Sequence, residues 1–106
     1  MATVNLTSEE FEAAVLKPGI TFVDFWAAWC GPCRMVGPVV EELSKDFEGK
    51  ALVGKVDVDQ NAAISSNFGI RNIPTLLFFK DGQVVDKHVG VAPKATLSAK
   101  LEALIK

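Results

Sequence analysis

The sequence predicts an α/β protein in three layers, a mixed β-sheet held between helices. Three patterns carry that prediction. Stretches with helical apolar spacing alternate with short runs of β-branched and aromatic residues. A strand, a long helix and a second strand follow one another in the way of a right-handed parallel crossover. Near the end, Asp81-Gly82 is the strongest hairpin signal in the chain, so at least one strand must run back against its neighbour. At 106 residues there is room for one domain, taken as residues 1–106, with one core.

The elements follow in order. Thr7 with Glu10 three residues on forms a capping box, and Phe11, Ala14 and Val15 recur at helical spacing, so a helix is expected from Ser8 to Leu16. Pro18-Gly19 stops it. Thr21 to Trp26 reads as a strand buried on both faces, with a charge, Asp24, inside the apolar run. Met35, Val36, Val39, Val40, Leu43 and Phe47 mark one side of a long helix that Gly49 closes, and Pro38 inside it predicts a kink. Ala51 to Val58 is the next strand, and a short helix from Ala62 to Phe68 stops at Gly69. Thr75 to Phe79 and Gln83 to Val89 are the arms of the hairpin. A last helix from Pro93 or Lys94 to Ile105 carries Leu97, Leu101, Leu104 and Ile105 as one stripe.

With 49% hydrophobic and 23% charged residues the composition is globular, and a net charge of -2 provides no basic field for nucleic acid. The first residues lack the pattern of an export signal, and no apolar run reaches the roughly 18 residues a membrane span needs. A cytoplasmic protein with no membrane partner is the expectation.

The only cysteines are Cys30 and Cys33, in Trp29-Cys30-Gly31-Pro32-Cys33 at a strand-to-helix junction. As a staple, a four-residue loop is poorly placed: it stabilises a fold by about 2 kcal/mol, against about 4.7 kcal/mol for a hundred-residue loop. A closed zinc site needs four ligands, and the remaining soft candidate is His88. Redox chemistry explains the spacing better. Cys30, at the N-terminus of the long helix, has free N–H groups and the helix dipole to stabilise its thiolate, so it is the expected nucleophile. Pro32 suits the first turn because it has no N–H to leave unpaired. Cys33, deeper in the helix and expected to be less exposed, is the resolving thiol. Gly31-Pro32 adds no charge or ring N–H that would favour the thiolate further, which points to a reductant.

Asp24 has two readings, a carboxylate at a solvated strand end or a buried acid. If buried, its pKa rises toward neutrality, where it can exchange a proton with a thiol. Lys55 in the next strand could neutralise its charged form; alone it would read as a surface lysine.

Val23-Asp24-Phe25-Trp26 ahead of Trp29-Cys30-Gly31-Pro32-Cys33, with Ile73-Pro74-Thr75 downstream, resembles the thioredoxin family over essentially the whole chain. The resemblance implies five strands, the last two antiparallel to the others, flanked by four helices. It implies a protein-disulfide reductant with no bound cofactor, re-reduced by a flavin-containing, NADPH-dependent thioredoxin reductase and acting as a monomer on disulfide-containing proteins. By match to the family, Cys30 attacks, Cys33 resolves, Asp24 transfers the proton and Pro74 is a cis-proline facing the sulfurs. Peptide groups at Asn72, Ile73 and Thr75 would bind an extended substrate. Trp29, Gly31, Pro32, Val58, Ile73, Val89, Gly90 and Val91 match the family's apolar rim, although Val58, Ile73 and Val89 each read singly as core. Three positions depart from the family's habit: Ala28, Asn72 and Gly37. Within the same fold, an oxidase or isomerase in an oxidising compartment is the chemical rival, and a binding module with incidental thiols is the rival from another class.

Overall fold

In a computed structural model of the protein, residues 4–5 and 8–106 are described, with side chains from residue 10 onward. Thr7, the cap expected for the first helix, lies outside the described residues. In chain order the elements are β1 (Val4–Asn5), α1 (Ser8–Leu16), β2 (Ile20–Trp26), α2 (Gly31–Asp46) and β3 (Ala51–Asp57). They are followed by α3 (Ala62–Asn67), β4 (Thr75–Lys80), β5 (Gln83–Val89) and α4 (Lys94–Ile105). Among the described residues there are four helices and a five-stranded sheet of order β1-β3-β2-β4-β5.

The strand pairings correct one expectation. β1 and β2 lie parallel to β3, β4 is antiparallel to β2, and β5 is antiparallel to β4. Two reversals restore the direction, so β4 alone runs against the others. The tight turn explains this: it joins antiparallel neighbours, and β5 must turn back from β4. Asp81 and Gly82 both have positive φ, 51° and 88°, the backbone a two-residue hairpin of this twist requires. The Asp81 carboxylate also accepts from the Gly19 N–H at 2.7 Å, and the Asp81 N–H donates to the Gly19 carbonyl at 2.9 Å. The hairpin tip is thereby tied to the end of the α1–β2 loop.

Strand alternation sorts the core into two layers. Phe22 of β2, Val53 of β3 and Leu76 and Phe78 of β4 pack with Val36, Val40 and Leu43 of α2 and Leu97 and Leu101 of α4. On the opposite face Val23, Phe25, Val56, Leu77 and Phe79 pack with Phe11 and Val15 of α1 and Ile64 of α3. There Phe11 meets Phe25, Phe68 and Phe79 edge-on, the arrangement the ring quadrupole prefers.

The long helix ends at Asp46, earlier than its glycine. The Phe47 N–H closes the last turn on the Leu43 carbonyl at 2.9 Å, and Gly49 lies in the turn beyond. Pro38 lies inside α2 without ending it. The two-residue β1 was not visible as a strand from residue pattern, because two residues carry no period.

Candidate active site

The site gathers where parallel strands β2 and β3 end and antiparallel β4 begins. Register places Phe25 opposite Thr75 and Thr75 opposite Val89. The segments just beyond those residues, Ala27–Cys30, Ile73-Pro74 and Gly90-Val91, are therefore brought together at one edge of the sheet. This is the carboxyl edge of the parallel strands, where ligands of α/β sheets collect.

Cys30 is the N-cap of α2 and Cys33 lies in its first turn, with Pro32 between them at the helix start. The two sulfurs form a disulfide. The Cys33 N–H donates to Cys30 Sγ at 3.1 Å. An N–H so placed, with the positive end of the helix behind it, is a donor suited to stabilising a thiolate at this position. The Ile73 carbonyl oxygen lies 3.7 Å from Cys30 Sγ, a contact rather than a hydrogen bond because a disulfide sulfur has no proton to give. The Ile73–Pro74 bond is cis.

One expectation about the sulfurs does not hold: Cys30 is 4% exposed and Cys33 5%, so depth does not separate them. Trp26, Val58 and Ile73 pack against the two cysteines, and the position of each cysteine on the helix is what distinguishes them.

Asp24 is the buried acid, not a solvated strand end. It is 1% exposed, and neither carboxylate oxygen has a hydrogen-bond partner among the described residues. Burial pushes its carboxyl up from 3.8 to about 7, with the Lys55 charge pulling the other way. Asp24, Cys33 and Lys55 all line one chamber of about 170 Å³, which Trp26, Ala27, Ala28, Arg34 and Gly37 complete. With the Asp24 carboxyl and the Lys55 and Arg34 side chains in its lining, a space of this size can hold a water that relays a proton between carboxyl and thiol. Lys55 is half-buried opposite Asp24 in the β2–β3 ladder, its Nζ 4.9 Å from the centre of the Trp26 ring.

Around the disulfide the rim is uneven. Trp29 is 68% exposed, Val89 48% and Val91 46%, and Gly31 and Pro32 are also exposed. Val58 and Ile73 are half-buried and pack against the Ala27, Cys30 and Cys33 cluster, so they contribute as much to support as to surface. Gly90 has φ of 97°, a conformation that disfavours any side chain, and its N–H donates to the Pro74 carbonyl at 2.8 Å. Asn72 is exposed, and its carbonyl accepts from the Thr75 hydroxyl. Thr75 is buried and paired on both sides in the sheet.

Residue pattern missed Asp59. Its carboxylate accepts from the Trp29 indole N–H at 2.8 Å, and the Asp57 carboxylate in turn accepts from the Asp59 N–H at 2.9 Å. The signal was Asp57-Val58-Asp59 directly after a parallel strand, at the edge of the sheet where function concentrates. A roomier apolar hollow of about 500 Å³ lies between α1, α3 and the β4–β5 hairpin, remote from the sulfurs. Among the described residues no group of three or more His, Cys, Asp or Glu side chains is placed to hold a metal, and no helix is long and apolar enough to cross a membrane.

The comparisons with known proteins agree with this geometry. The family model described as Thioredoxin matches residues 2–103. Thioredoxins from Staphylococcus aureus strains MW2 and COL are 50% identical over 102 residues, covering 96% of this chain and 97% of theirs. The solved structure of a mutant thioredoxin from Halobacterium salinarum NRC-1 superposes with a TM-score of 0.91 at 35% identity, over 99% of this chain and 92% of that one. A cysteine pair closing a disulfide at the head of α2 is the redox centre of a protein-disulfide oxidoreductase, and the chain belongs to the thioredoxin family.

Proposed function

We propose that this protein is a cytoplasmic, monomeric reductant of protein disulfides, its single domain spanning residues 1–106, cycling between the Cys30/Cys33 dithiol and disulfide. The observation that supports it most is the helix-start N–H of Cys33 aimed at Cys30 Sγ at 3.1 Å. The Cys30 thiolate attacks one sulfur of the substrate disulfide and the other sulfur leaves as a thiolate, giving a mixed disulfide. Asp24 accepts the Cys33 proton through the shared chamber. The Cys33 thiolate then attacks Cys30 Sγ and releases the second substrate sulfur. The substrate gains two electrons, and after proton uptake two thiols, while the protein is left with the disulfide. A flavin-containing, NADPH-dependent reductase returns the electrons.

The exposed Trp29, Val89 and Val91, with Gly31, Pro32, Gly90 and the half-buried Val58 and Ile73, form the docking surface. The backbone at Asn72, Ile73 and Thr75 lies beside it for pairing with an extended substrate segment. Pro74 shapes this approach, and Lys55 balances Asp24 when it ionises.

Cys33→Ser is the test of the roles. It is expected to accumulate substrate covalently held on Cys30, visible as mixed disulfides on a non-reducing gel that reductant dissolves. A variant that accumulates none, while Cys30→Ser does, reverses the two roles. Turnover of a protein disulfide with NADPH and a thioredoxin reductase tests the electron source.

A further inference from the structure

Of the residues lining the chamber that joins Asp24 to Cys33, Ala28 and Arg34 are the exposed ones; Trp26, Gly37 and Lys55 are half-buried, and Asp24, Ala27 and Cys33 are buried. Arg34 follows Cys33 in the first turn of α2, and its Nη2 donates to the Ala28 carbonyl at 2.9 Å. That bond ties the start of the helix to the loop leading into the disulfide, between the two most exposed residues of the chamber lining. The aliphatic stem of an arginine held this way covers space as well as carrying charge.

We propose that Arg34 is a positioning residue for the Cys33 proton transfer: bridged to the Ala28 carbonyl, it closes the solvent side of the chamber and keeps bulk water from the Asp24 carboxyl. This rests on the reading of Asp24 as the acceptor of the Cys33 proton. The groups facing Asp24 are Lys55 from β3, Leu76 from β4, and Cys33 and Arg34 from α2. Two effects of Arg34 on Asp24 have opposite signs. Its positive charge favours the carboxylate, so losing the charge alone would raise the pH at which Asp24 titrates. Its cover excludes water, so losing the cover lowers that pH by hydrating the charged form. The proposal commits to cover as the larger effect, because the carboxylate has no hydrogen-bond partner and depends on its surroundings for solvation.

The test is a carboxyl NMR titration of Asp24 in the oxidised protein, where neither sulfur titrates, for the parent, Arg34→Ala and Arg34→Lys. Arg34 is exposed, so the variants are expected to keep the fold. In Arg34→Ala the Asp24 midpoint moves down by about half a pH unit or more, and the inflection in the pH profile of mixed-disulfide resolution moves with it. Arg34→Lys, which keeps a donor and the charge, stays close to the parent. A midpoint in Arg34→Ala that stays or rises overturns the proposal, as does a fall in Arg34→Lys equal to that in Arg34→Ala. Asp24→Asn separates the two readings. An unchanged resolution rate in that variant overturns the role of Asp24 and the Arg34 proposal together. Slowed resolution there with a fixed midpoint in Arg34→Ala overturns the Arg34 proposal alone.

Discussion

Asp24 sets stability against chemistry. Its carboxyl titrates near 7 in the fold and at 3.8 in an open chain, so the folded state binds the extra proton. Stability from this group is therefore complete below about pH 4 and is lost as pH rises through about 7, a loss on the order of 4 kcal/mol at its upper limit. Replacing Asp24 with Asn is expected to abolish that slope and to make the protein more stable than the parent at pH 8 by about 2 to 4 kcal/mol, with little gain at pH 4. Urea unfolding at the two pH values checks it; equal gains at both would show that titration is not the cause. The sequence displayed a charge in an apolar strand but left open whether it met water. Only the packing of α2 over β2 decided that, because exposure depends on what covers a residue and not on its neighbours in sequence. The same holds for the cysteines, whose similar burial reflects the packing of Trp26, Val58 and Ile73 against them.

Among the elements, α2 carries the most function and contains one weak point. Gly37 lies mid-helix with open space where a Cβ would stand. Gly37→Ala is expected to raise stability by about 0.5 to 1 kcal/mol through helix propensity and a less flexible unfolded chain. A higher melting temperature in calorimetry supports this, and a lower one would mean that the added methyl disturbs the chamber Gly37 helps to line. The helix itself was legible from the spacing of Met35, Val36, Val39, Val40, Leu43 and Phe47; Val36, Val40, Leu43 and Phe47 are buried and Val39 half-buried, whereas Met35 is 66% exposed and does not belong to the buried side. The last residue of the helix was not legible. The final turn closes through the Phe47 N–H, and where a helix frays depends on which carbonyls the following turn can satisfy. The hairpin was legible in detail, since Asp81-Gly82 states a backbone conformation locally.

For the molecule as a whole, the sheet order makes the site. Placing β2 between β3 and β4 brings the loop after β2, the Ile73-Pro74 turn before β4 and the Gly90-Val91 segment after β5 onto one edge. The proposed docking surface, spread over three separate segments, predicts that large and small substrates respond differently to its alteration. Val91→Asp is expected to raise KM for a protein disulfide about tenfold, equivalent to about 1.4 kcal/mol, by placing a charge in an apolar contact, while the rate with a small aliphatic disulfide is unchanged. Steady-state kinetics with both substrates test this; an equal loss with both would place Val91 in support of the sulfurs instead.

By itself the sequence determined the helices, the strands of the sheet beyond the first, the hairpin turn and the reactive pair, because each is written in local spacing: a period, a turn dipeptide, a cysteine at a helix start. Tertiary structure alone decided that β4 is the one reversed strand, that Asp24 is buried, that Asp59 holds Trp29 and that Arg34 reaches the Ala28 carbonyl. Each of these joins residues from different elements or depends on what lies over them, and burial and pairing across a sheet arise from the arrangement of the whole chain, which no single stretch of sequence contains.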